Sequence, residues 1–251
     1  MSEPEAGPID VQVYPDRAAM GRAAASAVAR DLRRRLVGGG SARMVFAAAP
    51  SQADMLAALA TEPDIDWGGV TAFHMDEYIG LPPGAPERFA EWLHRHLFDR
   101  LPFGAVRTID PGTDPAATAR AYAAALAEGP IDIVCLGIGV NGHLAFNDPP
   151  VADLSDTLDV KIVELDAVCR QQQVDDDCFA RLDDVPTHAI TLTIPRLLRA
   201  DRLFCVVPGA AKRDAVRRTL ADPIGTACPA TALRRHPHVT LFLDQESNPH
   251  G

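Results

Sequence analysis

Paired cysteine spacing is missing from this sequence, and so are a membrane-length apolar run and any excess of positive charge. Cys135, Cys169, Cys178, Cys205 and Cys228 stand singly, several inside apolar runs such as "IVCLG" and "LFCVV". An odd count without a disulfide framework, and no apolar leader at the start, predict buried thiols in a reducing cytoplasm. No apolar run approaches the roughly 20 residues that span a bilayer, so a membrane is not an expected partner. Lys and Arg number 24 against 34 Asp and Glu, a net charge of −10. Such a surface repels nucleic acid, and an anionic ligand needs its own local cation. No repeat, low-complexity block or linker divides the chain. Residues 1–8 are expected as a loose tail, 9–245 as a single domain and 246–251 as a second tail.

What is present is ordinary for a globular enzyme: 251 residues, 47% hydrophobic and 23% charged. Short apolar runs alternate with helix-period segments. "IDVQVY", "ARMVFAAA", "VTAFHM", "IDIVCLGI", "VKIVEL", "AITLTI", "RLFCVV" and "VTLFL" read as strands. Residues 16–36, 87–101 and 114–126 read as helices, with others opening at Ser51 and near Ala210. The strands show little polar alternation, as when both faces are buried. These features predict an α/β fold with a doubly wound, mostly parallel, Rossmann-like sheet flanked by helices on both faces.

The stretch "GIGVNGHLAFNDPP" (Gly137–Pro150) contains G-x-G-x-x-G after a strand, the spelling of a dinucleotide clamp. A clamp needs a helix opening at the last glycine, because the pyrophosphate sits on free amides there. Pro149 and Pro150 would stop such a helix within about two turns. Asp156 and Asp159 precede the next strand, whereas a ribose-binding acid should end it. The glycines therefore predict a sharp loop at a strand's carboxyl end, presenting His143.

"FHMDEYIGL" places Asp76 and Glu77 past the end of another strand. Ligands of open parallel sheets bind beyond those ends, so an acid/base pair facing one cleft is expected. A solvated Asp-Glu turn and a packed loop histidine are the alternatives that spacing alone leaves open. Metal ligation is not expected: His94 and His96, two apart on a helix, point to different sides, and His236 and His238 lack further ligands.

"MDEYIGL" (Met75–Leu81) and "GIGVNGHLAFNDP" (Gly137–Pro149) resemble the two long motifs of the glucosamine-6-phosphate deaminase (isomerase) family. Weaker likeness runs from about Ile9 to Leu243, through "VPTHAITLTI", "VVPGAAKRDAV" and "LRRHPHVTLFLD". The resemblance implies conversion of glucosamine 6-phosphate to fructose 6-phosphate and ammonia, with no cofactor and no metal. It implies that Asp76 is the enolisation base, His143 the ring-opening acid/base, Asp148 its support and Glu77 an accessory. The implied partners are a small sugar phosphate and other copies of the chain in a homo-oligomer.

Three departures from the family pattern stand out. Asn141 replaces an aspartate, so it can orient the imidazole without charging it. Asp148 replaces a glutamate and is one methylene shorter. The Gly-rich phosphate turn has become "APSQAD", where Ser51 and the amides of the following helix remain as donors, Gln52 replaces a glycine and Asp54 adds negative charge. Lys212 matches a phosphate-binding lysine, and Arg170 is the candidate for a phosphate-side arginine. The rival readings are a galactosamine-6-phosphate isomerase, a 6-phosphogluconolactonase-like hydrolase and a non-catalytic sugar-phosphate sensor. A sensor on a repressor would need a DNA-binding helix-turn-helix and a basic patch.

Overall fold

In the computed structural model, which describes residues 9–251, β1 (Asp10–Tyr14) enters α1 (Arg17–Leu36) through an N-cap. There the Asp16 carboxylate accepts from the Ala19 amide at 2.7 Å. The tail expected at residues 1–8 lies outside the described residues. The chain continues through β2 (Ala42–Phe46), α2 (Ala53–Leu59), β3 (Val70–His74), β4 (Asp76–Tyr78), α3 (Phe89–His96) and β5 (Ala105–Arg107). Next come α4 (Pro115–Ala127), β6 (Ile133–Leu136), β7 (Val160–Glu164), α5 (Ala167–Asp175) and β8 (His188–Leu192). It ends with α6 (Ile194–Leu198), β9 (Arg202–Val207), α7 (Arg213–Ala221) and β10 (Val239–Asp244).

Seven strands form a parallel sheet in the order β1-β10-β9-β6-β2-β3-β5. Side-chain alternation divides its residues between two cores. Met44, Phe46, Phe204, Val206 and Phe242 face α1, α2 and α3, whereas Val45, Leu203, Cys205, Val207 and Leu241 face α4, α6 and α7. This is the doubly wound architecture that the alternating elements predict.

One expectation is corrected. The runs "VKIVEL" and "AITLTI" do not join the parallel sheet; they become β7 and β8 of a separate antiparallel sheet, β4-β8-β7. The chain changes sheets at Met75, whose amide donates to Phe46 in the main sheet at 3.2 Å. Its carbonyl accepts from Leu192 at the end of β8, at 2.8 Å. Residues 246–251 do not begin as a free tail: Ser247 is fully buried and its amide donates to Asp244 at 2.8 Å.

Candidate active site

The chain winds outward from β2 to β3 and β5 on one side and from β6 to β9 and β10 on the other. The order therefore reverses between β2 and β6, and a crevice opens beyond their carboxyl ends. A cleft of about 640 Å³, its open mouth included, occupies that position. Residues following β2, β3, β6 and β9 line it, among them Ser51, Asp76, His143 and Lys212. The two loops that the sequence singles out thus share one cleft.

Asp76 opens β4 opposite Thr191 of β8. Its carboxyl is buried and makes no hydrogen bond among the described residues. Burial, then the neighbouring Glu77 and Asp148 carboxylates, push it well above its usual range. Glu77 points the other way and is fully buried. It accepts from the amides of Tyr78, Phe89 and Ala90 at 2.9–3.0 Å, capping the start of α3. Burial pushes Glu77 up to about 7, although these amides and Arg88 pull against it. It holds the wall and does not line the cleft.

The glycines of the second loop bring backbone against the imidazole. A Cβ on Gly139 would lie 2.1–2.3 Å from atoms of the His143 ring. Gly142 has φ +87°, and a Cβ there would lie 2.4 Å from Cys228 Sγ. His143 Nδ1 lies 2.9 Å from Asp148 Oδ1 and 3.0 Å from Asn141 Oδ1. Asn141 also donates to Asp148 at 2.8 Å and accepts from the His143 amide at 3.0 Å. Burial would raise Asp148, but the His143 charge and hydrogen bonds from His143, Asn141 and Cys169 outweigh it and lower its pKa. An ionised Asp148 fixes the proton on Nδ1, leaving Nε2, which has no partner among the described residues, as the working atom.

β8 joins the two loops. Thr191, paired with Asp76, accepts the Phe146 amide on its hydroxyl at 3.1 Å. Asn147 donates to the carbonyls of Leu144 and Leu192, both at 2.8 Å. Sequence reasoning missed Thr191 and Asn147 because their work is to pair two loops distant along the chain.

The other end of the cleft departs further from expectation. The helix at Ser51 starts as a 3-10 turn, Pro50–Gln52. The Gln52 and Ala53 amides are spent on Ala49 and Pro50 carbonyls, and Pro50 has none, so few of the expected amides are free. Gln52 is buried; it donates to Val206 of β9 at 3.1 Å and to the Ser51 hydroxyl at 3.4 Å. Asp54 does not charge the cleft: it turns outward and pairs with Arg17, which also holds the Pro50 carbonyl. Arg170 is likewise absent from the cleft, because its guanidinium caps the carbonyls of Leu182 and Val185 at 2.6 and 3.2 Å.

Lys212 does reach the cleft. It is one of two lysines in the chain; Lys161 is held by Asp156 at 3.0 Å and Val151 at 2.8 Å. Lys212 is 8% exposed, and its ammonium has no hydrogen bond or ion pair among the described residues. Burial lowers its pKa against the attraction of Asp176. The wall facing it is α5, which the sequence reading left out. Its buried face carries Cys169, Gln172 and Gln173, too polar to register as an apolar stripe.

Among the described residues no group of three or more His, Cys, Asp or Glu side chains could hold a metal ion. His94 bonds Asp99 at 2.7 Å, and His236 lies 2.8 Å from the Ala200 carbonyl. No helix among the described residues is long and apolar enough to cross a membrane.

An open parallel sheet with a carboxylate beyond the end of β3 and an imidazole beyond the end of β6, the two strands that flank β2, defines an α/β enzyme of proton-transfer type. The family described as glucosamine-6-phosphate isomerases/6-phosphogluconolactonase matches residues 15–242, and the chain belongs to it. Glucosamine-6-phosphate deaminases of Bacillus thuringiensis (strain Al Hakam) and Bacillus cereus (strain AH820) are each 38% identical over 186 residues, covering 73% of this chain and 68% of the relative. In fold, the chain is similar to a solved monomeric glucosamine-6-phosphate deaminase, with a TM-score of 0.86 and 24% identity over 95% of this chain and 98% of that one. A 6-phosphogluconolactonase from Shewanella baltica OS155 follows the same fold at TM-score 0.77 and 19% identity, covering 95% of this chain and 99% of that one.

Proposed function

We propose that the chain converts glucosamine 6-phosphate and water to fructose 6-phosphate and ammonia. The observation that carries this reading is that Asp76 and the Asp148-supported His143 line the same cleft. His143 Nε2 takes the anomeric hydroxyl proton and delivers a proton to the ring oxygen, opening the pyranose. Asp76 then removes the proton at C2, acidified by the new C1 carbonyl, and returns it to C1. The resulting C2 imine adds water and expels ammonia, which balances the reaction. A raised pKa makes Asp76 a stronger base toward carbon than an exposed carboxylate. Lys212 and the Ser51 hydroxyl meet the phosphate.

A lactonase would break an acyl–oxygen bond and remove no C–H proton, so it would need only a base toward water. Residues 9–245 work in this reading as one catalytic unit, in a reducing cytoplasm that suits five free cysteines. Homo-oligomer formation belongs to the same proposal and is read by the protein's mass in solution. Purified protein given glucosamine 6-phosphate should release ammonia and ketose in equal amounts, and Asp76→Asn should lower kcat about 10³-fold with the fold intact. Hydrolysis of 6-phosphogluconolactone with no ammonia from the amino sugar would overturn the reading.

A further inference from the structure

Two adjacent buried glutamines line the cleft from α5, and they are not equivalent. Gln172 is spent at both ends: its carbonyl accepts from the Val140 amide at 3.1 Å and its amide donates to Asp176 at 3.2 Å. It ties α5 to the loop that carries His143. Gln173 is spent at one end only. Its carbonyl accepts from the Tyr78 hydroxyl at 2.6 Å. Tyr78 belongs to β4, two residues beyond Asp76, and its ring is wedged against Phe89, Phe146 and Phe179. Burial pushes the Tyr78 phenol far above its usual range, so it remains a donor. In this orientation the carbonyl meets the phenol and the amide is the end left over; turned round, the amide would donate to the Tyr78 oxygen and the carbonyl would be left instead.

The Gln173 amide N–H groups have no acceptor among the described residues, yet the side chain is only 7% exposed and borders the cleft. A poorly hydrated donor without an acceptor is costly unless a ligand supplies one. The geometry points to Gln173 as a specificity-determining residue that donates an amide N–H to a hydroxyl oxygen on the middle carbons of the bound sugar. A neutral amide suits a hydroxyl, while Lys212 supplies the charge for the phosphate. The inference rests on the amino-sugar-phosphate reading of the site.

The experiment compares wild type, Gln173→Met, which keeps the bulk and loses the donor, and Tyr78→Phe, which frees the amide to rotate. Each is assayed for ammonia release from glucosamine 6-phosphate and from its C3 and C4 epimers, with Tm recorded. Gln173→Met should lose about tenfold in kcat/KM on the preferred sugar and much less on at least one epimer, so that selectivity narrows. Tyr78→Phe should narrow it less. An unchanged selectivity ratio with an active wild type, whether from equal losses or from none, overturns the role of Gln173 alone. A wild type inactive on all three sugars overturns the deaminase reading and this inference with it.

Discussion

The two ends of the cleft are built on opposite terms. At the reacting end the imidazole is over-determined: Asp148, Asn141 and Gly139 fix one ring orientation, and β8 ties that loop to the strand carrying Asp76. At the end where the phosphate is proposed to bind, the buried ammonium of Lys212 has no hydrogen bond or ion pair among the described residues, beside a turn that has used most of its amides. Proton transfer requires groups placed to within a fraction of an ångström before the substrate arrives. A phosphate brings its own charge and completes its site on binding. The first end is therefore sensitive to geometry and the second to charge.

Among changes that leave every reacting and binding side chain in place, the largest effect should come from Gly139→Ala. The added methyl would fall on the imidazole, so the ring must leave Asp148 or swing from the cleft. A misplacement of about 1 Å costs on the order of 10²-fold, so kcat should fall by about that much while KM changes little. Wild-type kcat in this variant would mean that His143 is not held where the reaction needs it.

Lys212→Met should break the symmetry in the other direction. Losing a charge-assisted contact worth about 1.5–3 kcal/mol should raise KM for the sugar phosphate about 10- to 100-fold and leave kcat nearly intact. The variant should also be more stable than wild type, because an unpaired, buried ammonium has been replaced by an apolar chain. Thermal unfolding of the free protein reads this directly. A lower Tm together with an unchanged KM would remove Lys212 from the phosphate site.

What could be read from the sequence divides along similar lines. His143 and Asp76 were legible because each follows an apolar run, and a strand's carboxyl end is where an open sheet binds its ligand. Two helix starts were legible too: the helices read from 16 and 114 begin at the residues that prove to be the N-caps of α1 and α4. β8 was misassigned because "AITLTI" follows the same rhythm of strands and helices as the parallel strands, although Thr191 and Thr193 alternate with Ile190, Leu192 and Ile194, while its partner β4 is three residues long and polar. α5 escaped because its inward face is glutamine. Arg170 was placed as a candidate for the resembled family's phosphate-side arginine, and an arginine on a helix finds backbone carbonyls as readily as phosphate. None of these pairings leaves a mark within a short window of sequence.

The smallest effect concerns His74, buried behind the reacting end. Its Nε2 accepts from the Ile109 amide at 2.7 Å. Burial, assisted by Arg88 and His94, lowers it to about 3. The folded pKa lies below the unfolded value near 6.5, so the unfolded chain binds the extra proton first. Stability from this group is complete above about pH 6.5 and is lost as pH falls toward 3, by at most about 1.4 kcal/mol per pH unit. Glu77 runs opposite: its folded pKa of about 7 exceeds the usual 4.5, so its contribution is complete below pH 4.5 and lost as pH rises through 7. Between pH 4.5 and 6.5 the two largely cancel. His74→Gln keeps an acceptor for Ile109 and removes the titration, so Glu77 is left unopposed. Urea unfolding should then show the variant gaining on wild type steadily as pH drops from 6.5 to 4.5. A constant offset between the two across that range would mean that His74 is already protonated in the fold, and that the reacting end is wetter than its burial implies.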